Sequence, residues 1–392
     1  MSLNALAKGS AQLKVKTYPS FDSLPRPYLR LFEDAESQWY DFSLPWFRNF
    51  AETALDAGDK ICIYGVEHEG GSNTPMAALA TRYKERPSGI FSPAILSSLS
   101  NFYTITFSPI GEFLDTGTGE ALSALAKGIA NDHRRWDLVD LRPLDPTSPA
   151  YLNLVHSFRS AGMVVQEYFC FGNWYLPTAG LAYDEYFKGM PSAMQNTIRR
   201  KKKKLEKTGK ARIDIITNSE GLEVAIDAYS RIYLSSWKRS EPYPHFVPGL
   251  IRICAEKKWL RMGVVYLDDQ PIAAQVWIVN SGKATIYKLA HDQRYDEFSS
   301  GSTLTTHLIQ HVLEVDKVRE IDFGSGDDPY KKNWLSQRRE RWGILAMNPR
   351  SLAGCVGILR NVGGRAAKSA WQALRPNRPV RRLAQAESEK ES

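Results

Sequence analysis

Apolar and polar positions along the chain fall into two successive runs of the same elements. In the first run, Leu13–Tyr18 alternates as a strand does. Two helical stretches follow, one after Pro27 and one over Leu44–Leu55, where Trp46, Phe47, Phe50 and Leu55 recur at helical spacing. Strand patterns come next at Lys60–Glu67, Met76–Tyr83 and Phe102–Phe107. A glycine-containing loop at Asp115–Gly119 then opens a helix with Leu122, Leu125 and Ile129 on one face. A strand over Trp136–Leu141, a helix over Tyr151–Ser160 and a strand over Val164–Phe171 complete the order β-α-α-β-β-β-α-β-α-β.

A long basic helix, Tyr183 to Lys207, ends at Gly209, a residue suited to a helix C-cap. The same order then returns. Arg212–Ile216 reads as a strand, Leu222–Trp237 and Pro248–Lys258 as helices, and Met262–Leu267, Ile272–Val279 and Ala284–Leu289 as strands. The loop Asp292–Gly301 feeds a helix carrying Leu304, Leu308, Val312 and Val315. The strand Glu320–Phe323, a short helix from Pro329 and the strand Trp342–Ala346 close the run. Matching order predicts a duplicated α/β unit (α+β, mixed sheet), the alternative being two unrelated α/β domains. The expected division is 1–180, then 181–347 with 181–209 as the connecting helix, then a basic, partly disordered tail over 348–392.

Composition narrows the class. A chain of 392 residues, 43% apolar with 10 tryptophans, can fill two cores. Cys62, Cys170, Cys254 and Cys355 lie far apart with no CxxC pair, which argues against a disulfide framework or zinc site and fits a reducing compartment. His307 and His311 share a helix face but have no third ligand, so no metal is expected. The first residues lack the apolar core of a signal peptide, and no apolar run is long enough for a membrane span, so a cytoplasmic protein is expected.

The net charge of +8 favours anionic partners. Arg199–Lys204 is six consecutive basic residues, read either as a solvated connector or as an electrostatic guide for an anionic substrate. No recognised nucleic-acid-binding motif accompanies it, and nucleic acid is not expected as a partner. In the tail, Leu352, Val356, Leu359 and Val362 recur near helical spacing among Arg350, Arg360, Arg365 and Lys368. A docked or frayed tail is expected, and a weak membrane-surface contact is the alternative.

Four stretches carry a resemblance: Ser236-Trp237-Lys238; Gln270-Pro271-Ile272-Ala273-Ala274; His291-Asp292-Gln293-Arg294-Tyr295 leading through Ser299-Ser300-Gly301; and Asp322-Phe323-Gly324-Ser325-Gly326-Asp327 followed by Tyr330-Lys331-Lys332-Asn333-Trp334. Together they span about 183–347, and this half resembles the GNAT-like acyltransferases of the CelD/BcsL type, which share the tandem fold of the FemAB peptidyltransferases. The first half matches in element order and in its aromatic Trp46-Phe47-Arg48-Asn49-Phe50 helix, without a sharp motif. The resemblance implies two tandem GNAT domains, and the N-terminal one is expected to be degenerate because Asp322, Tyr330 and Lys331 have no convincing counterparts near Asp140–Tyr151. It also implies transfer of an acyl group from acyl-CoA to an amine of a sugar, peptide or envelope/exopolysaccharide precursor, including anionic or lipid-linked ones. The rivals are a Fem-like transferase using aminoacyl-tRNA and a non-catalytic binding protein on the same fold. One departure stands out: the phosphate-loop pattern Q/RxxGxG/A is not literally present, because Gln293 and Arg294 lie too far ahead of Gly301.

Candidate chemistry gathers at two places. At Ser299-Ser300-Gly301-Ser302-Thr303, glycine permits close backbone approach, hydroxyls can cap, and a helix start offers free N–H groups to an anion, although an ordinary N-cap has the same composition. With the resemblance, the expected donor-binding set is Leu289, Gln293, Arg294, Ser299, Ser300, Gly301, Ser302 and Thr303. The second place is Glu320–Tyr330, where Asp322 in an apolar strand must be paired or have a raised pKa. The resemblance makes Tyr330 the acid that protonates the leaving thiolate and gives Lys331 the charge developing on oxygen. The bland alternatives are a packed tyrosine and a solvated lysine. His291 and Asp292 are rival general bases at the end of the preceding strand.

Overall fold

The computed structural model describes residues 13–69, 74–86, 92–111 and 119–363. Most of the Asp115–Gly119 loop and the tail beyond Gly363, with Arg365 and Lys368, lie outside the described residues.

The first run forms β1 (Leu13–Tyr18), α1 (Arg26–Glu36), α2 (Leu44–Thr53), β2 (Asp59–His68), β3 (Pro75–Lys84), β4 (Ile95–Ser98), β5 (Ile110–Gly111), α3 (Gly119–Ala130), β6 (Leu138–Leu144), α4 (Pro149–Ser160) and β7 (Val164–Pro177). The connection is α5 (Tyr183–Gly189) and α6 (Ser192–Glu206). The second run forms β8 (Ala211–Ile216), α7 (Leu222–Ser235), α8 (Phe246–Glu256), β9 (Leu260–Leu267), β10 (Gln270–Asn280), β11 (Lys283–His291), α9 (Ser300–Glu314), β12 (Glu320–Asp322) and β13 (Gln337–Met347), followed by α10 (Leu352–Ile358).

All the described strands join one mixed sheet in the order β1-β2-β3-β4-β6-β13-β7-β12-β11-β10-β9-β8, with β5 beside β3. From either end the order is the same: four strands, a parallel neighbour (β4–β6 or β11–β12), then the last strand of the opposite half. The halves have exchanged their final strands. β13 enters between β6 and β7 and pairs antiparallel with β7 from Gln337↔Tyr175 to Met347↔Val164, while β7 also pairs with β12. The fold is therefore two like α/β units on one continuous mixed sheet.

The aromatic helix α2 serves the contact between halves. Trp46 stacks on Phe50 with centroids 5.3 Å apart, and Phe246 of α8 meets both edge-on at 6.1 Å. Asn49 donates to the Phe246 carbonyl at 3.0 Å. Gly249 is glycine because a Cβ there would stand 2.1 Å from Asn49 Oδ1.

Two expectations change. The predicted helix over Tyr183–Lys207 is two helices, broken at Met190-Pro191, since proline removes a donor and clashes with the preceding turn. Phe102–Phe107 is not a strand. Tyr103, Ile105 and Phe107 are buried as alternation predicts, but the backbone N–H groups of Ile105 and Thr106 donate to Asp41 Oδ2 at 2.9 and 3.0 Å. The strand work there falls to the short β4. No helix of the described residues is long and apolar enough to cross a membrane.

Candidate functional site

The site begins where two parallel strands part. β11 and β12 pair only at Lys283↔Glu320, Ala284↔Ile321 and Thr285↔Asp322, after which β12 ends and β11 runs on to His291. Phe323 N turns the other way and donates to Trp174 O of β7 at 3.0 Å. A bulge sets Tyr287 between Ile286, opposite Trp277, and Lys288, opposite Val276. The Tyr287 hydroxyl donates to Tyr103 O at 2.8 Å and ties the bulge to the first half. Around this opening lie two cavities of about 320 and 370 Å³, which share Trp237, Ile286, Leu289, Phe323 and Tyr330 as walls.

The larger cavity meets the start of α9. Ser299 is left-handed (φ 47°), and no side chain caps the helix. The first bond into the helix runs from Thr303 N to Ser299 O at 3.0 Å, so the N–H groups of Ser300, Gly301 and Ser302 have no intrahelical acceptor. Ser299, Gly301 and Ser302 line the cavity. Gln275 Nε2 and Thr305 Oγ1 hold Gly301 O at 2.9 and 3.0 Å, fixing the first turn. A Cβ on Gly301 would come within 3.3 Å of His291 Nδ1. Amides without intrahelical acceptors, a positive dipole end and a missing Cβ suit an anion chemically.

The other residues expected at the donor divide. Leu289 lines both cavities. Ser300 and Thr303 are buried beside the helix start, their hydroxyls without partners, and lie outside the cavity lining. Gln293 and Arg294 do not line it either. Arg294 binds Asp292 instead, with Nη2 to Oδ2 at 2.6 Å. Asp292 also accepts from Arg294 N at 3.0 Å and caps the short turn Gln293–Phe298. The guanidinium holds its carboxyl below its usual value, and Asp292, away from both cavities, is a cap instead of a base. His291 does reach the larger cavity, its Nε2 3.1 Å from Asp296 Oδ1 and its ring 4.5 Å from that of Trp237. From α6, Lys201 donates to Glu297 O at 2.7 Å and Lys204 pairs with its carboxylate, so part of the basic run is anchored to this turn.

The smaller cavity carries the cations. Asp322 is fully buried, and Asn173 Nδ2 (2.7 Å), Gly324 N (2.6 Å) and Arg339 Nη2 all donate to it. Asp322 is thus the paired option of the two the sequence left open; it fixes the turn beneath the cavity without lining it. Lys331 is only 4% exposed, and its ammonium donates to the carbonyls of Phe323 (3.1 Å), Ser325 (2.7 Å) and Gly326 (3.1 Å). Three protons meet three acceptors, so the role expected for it on an oxyanion gives way to bracing the glycine turn. Tyr330 is 45% exposed and lines both cavities; burial, then the nearby Asp328 charge, pushes its hydroxyl up to about 12. It stays protonated at neutral pH and can donate.

One residue in the Ser236-Trp237-Lys238 stretch had no role assigned. Lys238 Nζ donates to Leu289 O at 2.5 Å, at the open edge of β11. Burial, then the Lys288 ammonium, pulls its pKa down to about 8, so a neutral amine is accessible near physiological pH. Lys288 is held by Glu241 at 2.7 Å. The sequence carried the residue but not its neighbours, which come from β11 and the turn after α7.

His307 and His311 line neither cavity, and burial lowers both pKa values. Among the described residues no group of three or more His, Cys, Asp or Glu is placed to hold a metal ion.

Residues 192–332 match the model of an acetyltransferase (GNAT) domain. The fold is similar to the crystal structure of FemX, with TM-score 0.56 at 10% identity over 88% of this chain and 99% of that one. Also similar are a domain of a lysylphosphatidylglycerol synthetase from Agrobacterium fabrum (TM-score 0.48, 10% identity, 84% and 96% covered) and a tandem GNAT protein from the clavulanic acid biosynthesis pathway (TM-score 0.47, 11% identity, 87% and 100% covered). No curated protein matches the sequence.

Proposed function

We propose that the chain is an acyl-CoA-dependent N-acyltransferase whose working site lies in the C-terminal half (181–347), the N-terminal half (1–180) being degenerate. The observation that carries this reading is the uncapped start of α9 opening onto a cavity that continues, past Leu289 and Tyr330, into one lined by lysines. The donor's pyrophosphate would sit on the free amides of Ser300–Ser302, and its thioester would reach the parting of β11 and β12. The acceptor amine would enter beside Lys238. Lys238, as the free amine, takes a proton as nitrogen attacks the carbonyl carbon; the C–N bond forms, the C–S bond breaks, and Tyr330 gives its hydroxyl proton to the departing sulfur. Lys331 and Asp322 position the turn that carries Tyr330.

The acceptor class we propose is an amine of a sugar, peptide or lipid-linked precursor of the cell envelope or an exopolysaccharide, entering a polar cavity whose lining holds Lys238, Lys288, Lys331 and Asp328. An enzyme drawing on acyl-CoA would work in the cytoplasm. A second reading has support from Arg199–Lys204, which runs on α6 beside the donor turn: a Fem-like transferase taking aminoacyl-tRNA.

Equilibrium binding of CoA, acetyl-CoA and a charged tRNA at several salt concentrations separates the two. CoA binding with a shallow salt dependence, and acyl transfer to an amine panel detected by mass spectrometry, is the expected result. Tight tRNA binding that falls steeply with salt, with no CoA binding, would replace it with the Fem-like reading, because each released phosphate counterion steepens the slope. CoA binding without turnover on any amine would leave a binding protein.

A further inference from the structure

A separate cavity of about 200 Å³ lies in the N-terminal half. Its construction repeats that of the lysine-lined cavity. Residues following α1 (Gln38, Trp39) stand where those following α7 (Trp237, Lys238) stand in the other, and the passage from β6 into α4 (Asp145, Pro149) replaces the passage beyond β12 (Asp328, Tyr330). Each cavity is closed by residues of the opposite half: Phe102 and Tyr103 in one, Lys283, Arg339 and Arg341 in the other. Duplication thus left two copies of the pocket, lined by different chemistry.

Arg341, brought in by the exchanged strand β13, is 5% exposed. Its one hydrogen bond among the described residues runs from Nη1 to Glu340 O at 3.3 Å, and its ion contact to Asp145 Oδ2 is loose, at 3.4 Å. The Nε–H is buried with no acceptor among the described residues. A guanidinium with five donors is costly to bury in this state unless something accepts from it. Arg339, beside it, is already committed to Glu320 and Asp322, and Lys283 lies 4.8 Å over the Trp39 ring.

Two more donors belong to residues that line the same space. Thr106 Oγ1 is buried without a partner. At the start of the twelve-residue α4, Ser148 Oγ takes Tyr151 N at 3.2 Å, which leaves the N–H of Ala150, another lining residue, without an intrahelical acceptor. Asp145, Gln38, Ser108 and Ser148 also line the space, and its apolar part is chiefly Trp39, Phe42, Phe107 and Ile110. A forked guanidinium matches the two oxygens of a carboxylate, and the apolar wall matches a ring or short hydrocarbon body.

We propose that this cavity is a second ligand site, which takes a small monocarboxylate on an apolar, ring-sized body with Arg341 as its charge partner. The site stands independently of the acyl-transfer reading, since none of its lining residues belongs to the donor or acceptor cavities.

Calorimetric titration of the full chain with phenylacetate, and with phenylacetamide as the uncharged match, tests it. Phenylacetate is expected to bind at one site per chain, with phenylacetamide and the variant Arg341→Met each weaker by roughly 10- to 100-fold, the worth of hydrogen bonds to a charged group. Methionine fills similar volume without charge, so this variant is expected to fold. Ala150→Met, which fills the cavity and leaves Arg341 in place, should abolish binding as well. Absence of saturable binding to the parent overturns the proposal. So does phenylacetate binding that survives both variants, or that is lost in Lys238→Met while surviving Arg341→Met, since the carboxylate then sits in the other cavity.

Discussion

The two parallel strand couples of the sheet start alike and end differently. β4 pairs with β6 at Ile95↔Leu138, Leu96↔Val139 and Ser97↔Asp140, as β11 pairs with β12 over three residues. Beyond that point the N-terminal couple is stitched shut. Ser98 and Ser100 hydroxyls donate to Arg142 O at 2.7 and 2.5 Å, Arg142 N donates to Ser98 Oγ at 3.1 Å, and Phe107 N donates to Pro143 O at 2.6 Å. In the C-terminal couple the corresponding groups turn away, and the gap is a cavity. Side-chain hydrogen bonds at the fork thus distinguish a strand couple that is tied together from one that parts, although both halves have the same strands.

The largest expected effect separates the halves at the residue after their shared proline. Counting from Pro329 and Pro149, Tyr330 of one half corresponds to Ala150 of the other. Tyr330→Phe should lower turnover about 100-fold or more, as loss of a general acid does, with donor affinity unchanged in binding measurements. Tyr151→Phe, whose hydroxyl donates to Glu167 at 2.8 Å in the closed half, should leave turnover at the parent rate. Equal losses in both would erase the distinction.

Lys238→Met should lower kcat by roughly 10- to 100-fold at pH 7.5. The sign of the pH dependence is the sharper readout. A base with its pKa lowered to about 8 is inactive when protonated, so parent activity should climb through that pH, and the climb should vanish in the variant. A profile that keeps its rising limb without Lys238 belongs to the acceptor amine or to another base.

Gly301→Val should weaken CoA binding about tenfold or more by filling the seat at α9, where an added Cβ already crowds His291. At the matching start of α3, the nearest atom among the described residues to a Cβ added at Gly119 is Asn153 Oδ1 at 3.9 Å, and Gly119→Val should not alter CoA binding. The smallest effect is on stability: Ser98→Ala with Ser100→Ala should cost about 1 kcal/mol in denaturant unfolding, from hydrogen bonds lost to the Arg142 carbonyl, with catalysis intact.

Much of this architecture was legible in local pattern. The bounds Leu13–Tyr18 agree with β1, and the Ser299–Ser302 helix start lies where close approach and free amides were expected. Three features were not legible, each because its cause is remote in sequence. Phe102–Phe107 alternates like a strand, yet Asp41 supplies the acceptor for its amides. Lys331 reads as a solvated or catalytic lysine until the carbonyls of Phe323, Ser325 and Gly326 close around it. Lys238 gains its altered basicity from burial and from Lys288, fifty residues on. Periodicity reports which face of an element is buried, not which chain segment will satisfy it.

The exchange of β7 and β13 also bears on how the chain is made. When Pro177 leaves the ribosome, β6 and β7 are complete, but the strand that separates them in the finished sheet has not been synthesised. It begins at Gln337, and at about 5–20 residues per second that is a wait of roughly 8–32 s. During that interval β6 and β7 present unpaired edges to each other and to the cytosol. Direct pairing of β6 with β7 would close the first sheet early and leave β13 without a place. The middle of the finished sheet is thus completed by the last strand to be made, Gln337–Met347.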